Sequence, residues 1–375
     1  MGSGPLQGVK IIEFAGIGPG PFAGMLLSDM GAEVLRIDRK QALLDGSVDI
    51  TARGRKSVCL DLRKPAAVEA VKEIISSADA LIEGYRPGVM EKLGLGPDIL
   101  CDLNPRLVYG RMTGWGQDGP LAHSAGHDIN YISLCGALDM IGTREQPVPP
   151  LNLVGDYGGG ALYLAMGICA ALFEAQRSGK GQVIDCAITD GTASLMAMFF
   201  GFHQSGFLAE GRDANMLDGG AHFYGAYETA DGKFISIGPI EPQFYAVLRE
   251  LAGLEDDAFD AQYDPAKWPE LKQTLAGIFK TKTRDEWDKL LAGTDACYAP
   301  VLSLSEAKEH PHNKARDIIT HQFGIDQPNV APRFSRTPGA IQGPPVKVGE
   351  DNETGLTDWG LSGELMEKLK AEEAF

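Results

Sequence analysis

The chain of 375 residues lacks paired cysteines: Cys59, Cys101, Cys135, Cys169, Cys186 and Cys297 stand apart, and no Cys-x-x-Cys occurs. That excludes a zinc ribbon or a thioredoxin-like site, and scattered thiols in a chain of this size suit a reducing compartment. Positive charge is also scarce, with Lys and Arg numbering 34 against 51 Asp and Glu, a formal net charge of −17. So acidic a chain disfavours a general nucleic-acid or anionic-membrane surface, while leaving room for a local basic pocket. The 7 histidines show no metal-ligand spacing, so no metal is expected. The segment Met1–Pro5 lacks the apolar core of a signal peptide, and the most apolar stretch, Ala161–Phe173, is too short to span a bilayer. The closing Glu372-Glu373-Ala374-Phe375 is no peroxisomal tripeptide. The expectation is a cytoplasmic protein with neither nucleic-acid nor membrane partners.

What is present reads as an ordinary globular protein of two or three domains, 44% hydrophobic and 23% charged. Val9–Phe14 reads as a strand, followed by a Gly/Pro loop and an apolar helix, Phe22–Met30, which Gly31 closes before the strand Val34–Asp38. The cycle repeats with strand Val58–Leu62, helix Ala66–Ser76, and strands Ala80–Glu83 and Leu107–Met112. Alternating strands and helices predict a parallel sheet covered on both faces, with ligands at the carboxyl ends of its strands. Further on come a helix over Gly160–Arg177, a strand over Gln182–Ala187 and a helix over Thr192–Phe202. Asp231-Gly232, flanked by Phe223–Thr229 and Lys233–Gly238, then signals a hairpin in a second domain.

Gly16-Ile17-Gly18-Pro19-Gly20-Pro21 invites a dinucleotide reading, but the third glycine is replaced by Pro21, and two prolines remove donors a pyrophosphate would need. Arg39 after the second strand, Arg86 after the fourth and Lys92 a turn later make a candidate phosphate site. His127 precedes a predicted helix with Asp128 as candidate N-cap, and Asp156 lies in the glycine-rich bend Gly155–Gly160. Glu241, between Pro239 and Pro242, has a rigid backbone.

Phe14–Pro21, Val34–Arg39 and Glu83–Val89 together resemble the family III CoA-transferases. Gly126–Tyr131, Pro150–Leu153 with Asp156, Asn215–Gly220 and Ile240–Tyr245 are similar to the acyl-CoA racemase branch of that superfamily. The resemblance covers roughly residues 5–305. It implies an α/β fold: a Rossmann-like parallel-sheet large domain over 1–200, a smaller α+β domain over 201–318, a segment 319–375 returning to the large domain, and an interlocked homodimer. The implied substrate is a 2-methylacyl-CoA thioester, interconverted between its (2R) and (2S) forms with no cofactor, since CoA is part of the substrate. His127 and Asp156 match the acid/base pair, and Glu241 a residue brought to His127 from the partner chain. Arg39, Arg86 and Lys92 would meet phosphates, Cys59, Leu60, Asp61 and Leu62 the adenosine portion, and Gly126, Asp128, Asn130 and Tyr131 would also bind the CoA thioester, with N–H groups near Asp128 holding the oxyanion. Lys92 stands where such racemases often carry Arg, and His222 where they carry Pro. The competing reading is CoA transfer between carboxylic acids, with Asp156 as nucleophile. It has no evident use for His127.

Overall fold

The structure, a computed structural model, describes residues 3–39 and 49–375. The chain divides into two compact units, one of residues 1–135, 151–195 and 317–375 and the other of 136–150 and 196–316. Segment 136–150, expected in the large domain, thus belongs to the second unit, and the first resumes at 317.

The first unit opens with β1 (Lys10–Phe14), α1 (Pro19–Asp29), β2 (Glu33–Asp38), β3 (Lys56–Cys59), α2 (Pro65–Ile75) and β4 (Ala80–Glu83). It continues with α3 (Val89–Lys92), α4 (Pro97–Leu103), β5 (Val108–Thr113), α5 (Asp128–Leu134), a π-helix (Leu153–Ala161), α6 (Leu162–Ser178), β6 (Val183–Ala187) and α7 (Ile188–Leu195). Six parallel strands lie in the order β3-β2-β1-β4-β5-β6. Successive side chains point to opposite faces, so Ile11, Val34 and Ile82 pack into one buried layer and Ile12, Leu35 and Leu81 into the other. The order reverses direction between β1 and β4, where an open α/β sheet leaves a crevice.

Three local departures from the sequence reading have plain causes. Helix α1 starts at Pro19, earlier than Phe22, because proline in the first helical turn loses no hydrogen bond. Gly18 caps it at φ 73° and ψ −118°, a conformation a side chain would oppose. The helix expected over Thr192–Phe202 is two, breaking at Met196. The helix expected from Gly160 starts at Leu153 as a π-helix and runs to Ser178. At 26 residues it is long and apolar enough to cross a membrane by length and composition alone, unlike the shorter stretch picked from the sequence. Here Leu164, Ala165, Ile168, Ala171 and Leu172 pack it onto the sheet.

The second unit contains α8 (Ala197–Gln204), β7 (Gly225–Glu228), β8 (Phe234–Ile237), α9 (Pro242–Ala252), α10 (Trp268–Phe279), α11 (Arg284–Leu291), β9 (Tyr298–Val301), α12 (Leu304–Glu309) and α13 (Pro311–Ala315). The anticipated hairpin is β7–β8, and β9 adds an antiparallel third strand. Phe223, Tyr227, Ile235, Trp268, Phe279 and Trp287 form its core. His222 is fully buried there, its Nε2 2.7 Å from the Tyr245 hydroxyl, and burial pushes its pKa down to about 4.

The returning part of the first unit holds the hairpin β10 (Ile319–Gln322) and β11 (Ile325–Pro328), then α14 (Asn352–Asp358) and α15 (Gly363–Ala371). Trp359, Leu361, Met366 and Leu369 complete the buried layer over α2.

Candidate active site

At the carboxyl ends of the strands the first unit opens a cavity of about 810 Å³. Its walls are the loop 14–21 after β1, Arg36, Asp38 and Arg39 at the end of β2, Gly84–Pro87 after β4, Met112–Trp115 after β5, then Gly126, His127, Tyr131, Asn152 and Asp156. Of the residues singled out from the sequence, it therefore gathers Arg39, Arg86, Gly126, Tyr131, His127 and Asp156.

His127, exposed, is the N-cap of α5, and Asp128 is the helix's first residue instead of the expected cap. The His127 N–H donates to Asn130 Oδ1 at 3.0 Å, which fixes the backbone that carries the imidazole. Buried Asp128 then accepts the Asp156 N–H on its Oδ2 at 2.7 Å and so joins the helix start to the π-turn. A π-turn carries one extra residue per turn, and such bulges are frequent at functional sites. Gly18 makes room for Asp156, since a Cβ there would lie 2.9 Å from Asp156 Oδ2. Burial pushes the Asp156 carboxyl up to about 6, with the Asp128 charge adding to it, while a hydrogen bond from Asn152 and the nearby His127 pull it back. Tyr131 packs edge-on against Trp115, ring centres 4.8 Å apart, and its hydroxyl donates to the Gly126 carbonyl. Burial raises the Tyr131 pKa. A carboxyl that titrates near neutrality and an imidazole on one cavity can each give or take a proton.

The cationic side is also built from below. The exposed Arg39 guanidinium stands 5.1 Å from the Tyr85 ring centre. Arg36, nine-tenths buried, is held by Asp38 at 3.1 Å and Asp49 at 3.9 Å. Beneath them, fully buried Arg55 pairs with Glu13 at 3.1 Å and also donates to the carbonyl of Pro21, pinning the glycine-proline loop. Sequence reading passed over Arg36 and Glu13 as site residues and weighed Asp38 only as the ribose ligand of the dinucleotide reading, although charges inside strands of a doubly covered parallel sheet are the signal that finds them.

Other expected site residues lie elsewhere. Cys59 and Leu60 are buried, and Leu60 belongs to the core layer under α2, because a strand end alternates its faces. The Cys59 N–H donates to Asn352 Oδ1 and the Asp61 N–H to the Ala374 carbonyl, so the returning segment covers them; Leu62 packs against the same core. None of the four lines the cavity, nor does exposed Lys92 on α3. Asp128 and Asn130 act on the cavity through backbone geometry instead of facing it. Glu241 is exposed and is the N-cap of α9, in the second unit. Among the described residues no cluster of His, Cys, Asp and Glu suited to a metal occurs.

The profile of CoA-transferase family III matches residues 6–352. An α-methylacyl-CoA racemase of Mus musculus is 45% identical over 373 residues, spanning 98% of this chain and 96% of that protein. The α-methylacyl-CoA racemase of Homo sapiens is 43% identical over 371 residues, with the same coverage of 98% and 96%. Among solved structures, a CAIB/BAIF family protein from Brucella suis superposes with a TM-score of 0.82 at 25% identity, over 95% of this chain and 100% of that one.

Proposed function

The chain belongs to CoA-transferase family III, and from that premise we propose that it racemises 2-methylacyl-CoA thioesters. The observation that carries the reading is one cavity shared by His127 and Asp156, with Asp156 held near neutrality. The names of its racemase relatives supply the substrate class.

A hydrogen alpha to a thioester is weakly acidic, because the carbanion delocalises onto the carbonyl oxygen as an enolate. Neutral His127 takes that proton from one enantiomer, the C–H electron pair becomes the carbon–carbon double bond of the enolate, and the C=O π pair moves onto the carbonyl oxygen. Protonated Asp156 then returns a proton to the opposite face, and the electron pair falls back to re-form the C–H bond. The other enantiomer runs with the roles exchanged. Backbone N–H groups at the start of α5, near Asp128, steady the enolate oxygen, and Arg39 and Arg86 meet the CoA phosphates. Glu241 of the partner subunit supports the imidazolium in an interlocked homodimer. The reaction uses no cofactor, and its setting is the lipid metabolism of a reducing cytoplasm.

The test supplies one pure enantiomer of a 2-methylacyl-CoA in heavy water, without any acceptor acid. Loss of optical purity with one deuterium gained at the α-carbon is the expected result, and His127→Ala should cut the rate at least a hundredfold. Thioester exchange that requires an added carboxylate would instead make the protein a CoA-transferase with Asp156 as nucleophile. Full turnover in His127→Ala would remove the imidazole from the mechanism.

A further inference from the structure

We infer that Phe22 is a positioning residue for Asp156: its ring, stacked on Tyr157, holds the π-turn in the setting that presents the Asp156 carboxyl to the cavity. This rests on the acid/base reading of Asp156 above.

The turn that carries Phe22 is anchored from below. Pro19 and Pro21 fix φ in the first turn of α1, and the Phe22 N–H donates to the Gly18 carbonyl at 3.4 Å. Fully buried Arg55 donates to the Pro21 carbonyl while pairing with Glu13 at 3.1 Å, which ties the turn to the end of β1. Gly24, one turn after Pro21, leaves room for that pair, since a Cβ there would run into the Glu13 carboxylate. Phe22 also packs against the buried layer that α1 shares with α6.

From this base the first turn of α1 meets the π-turn at three points. Gly18 lies against the Asp156 carboxyl, Pro19 against Gly160, and the Phe22 ring on that of Tyr157, with ring centres 4.1 Å apart and planes 16° from parallel. The third contact joins two large side chains, and it fixes the residue next to Asp156 in the chain. A π-turn holds one residue more than the α-helix it interrupts, and expelling that residue would swing Asp156 by roughly 100° about the axis. Asp128 grips the Asp156 N–H from α5, and the stack grips the following residue from α1. A turn held on two sides keeps one register. Neither ring lines the cavity, so Phe22 acts on Asp156 through Tyr157 and touches no substrate.

Heavy water separates this role from a general loss of structure. When Asp156 is out of place, the enolate left by His127 is reprotonated by the same imidazole, after that group has exchanged its proton with solvent. One enantiomer of a 2-methylacyl-CoA should then gain α-deuterium with its configuration retained, while the other loses exchange and inversion together. In Phe22→Leu the ratio of retained to inverted deuterated product from the first enantiomer should rise about tenfold. CoA affinity by calorimetry should be unchanged, and Phe22→Tyr should keep the ratio of the unaltered protein. Tyr157→Leu should give the same rise, and the double variant no more than either alone, so the contact is still read if Phe22→Leu does not fold. An unchanged ratio in a folded leucine variant, or an equal fall of exchange and inversion from both enantiomers, overturns the inference. Failure of the racemase reading looks different: the unaltered protein puts no deuterium at the α-carbon. Carbon-13 NMR of labelled aspartate would then still show the Asp156 midpoint, about 6, falling toward its ordinary value in Phe22→Leu, because a loosened turn admits water to the carboxyl.

Discussion

Asp156 is costly to keep where it is. Its carboxyl titrates near 6 in the folded chain against an ordinary value of 3.8, so the folded state holds that proton more tightly than the unfolded one does. Stability is therefore highest on the acid side and is lost as pH rises from about 4 through about 6. Asp156→Asn should recover that loss: above pH 7 it should unfold about 1 kcal/mol harder than the unaltered protein, a figure kept small because the side chain is only half-buried. At pH 4 the two should unfold alike, and racemisation should be gone at both; urea titrations at the two pH values measure it. Asp128 contributes part of the rise through its charge. Asp128→Asn, which keeps an oxygen for the Asp156 N–H, should move the pH at which proton donation by Asp156 fails to below 6. The pH profile of deuterium wash-in for the enantiomer that Asp156 protonates reads this directly.

At the scale of elements, the π-helix depends on glycines that let α7 lie against its backbone. A Cβ on Gly191 would stand 1.8 Å from the Gly159 carbonyl oxygen, and one on Gly159 2.4 Å from Thr192 Oγ1. Because the first clash is with backbone, Gly191→Ala must push α7 off the turn that carries Asp156, costing about 3 kcal/mol and most of the activity. Urea unfolding and the isotope assay check the two effects separately. The alternation of strands and helices in residues 9–112 was legible because apolar runs and glycine stops have distinct periods. The π-turn was not, since Leu153–Ala161 is short and rich in glycine and carries too few apolar side chains to show a period different from an α-helix's. His127 and Asp156 were legible through their motifs, but the pocket they share was not. Arg36 was not legible, because a charge inside a strand carries no motif until Asp38 and Asp49 are seen to hold it at the cavity.

For the whole molecule, the face of α6 turned away from the sheet is the telling surface. Leu162, Met166 and Phe173 are each more than half exposed on that one helix, an apolar stripe of the kind that marks an interaction surface. In the proposed homodimer a second copy covers it, so the protein should sediment at twice its chain mass of 40.1 kDa. Placing Glu at Met166 and Phe173 together should shift it toward the single-chain species and lower racemisation with it, since Glu241 is then no longer supplied to His127. Equilibrium sedimentation of the two proteins decides.

The first unit is assembled from both ends of the polypeptide, with residues 196–316 folded as an insertion between its parts. During synthesis, β1 to β6 leave the ribosome long before Trp359, Leu361 and Leu369 exist to shield the apolar face of α2. The nascent chain must wait in a half-finished state, with sticky surface open to other proteins, until its last sixty residues are made. Such long-range closure slows maturation, and it makes the yield of functional protein hang on chaperone supply and translation speed as much as on the strength of the finished core.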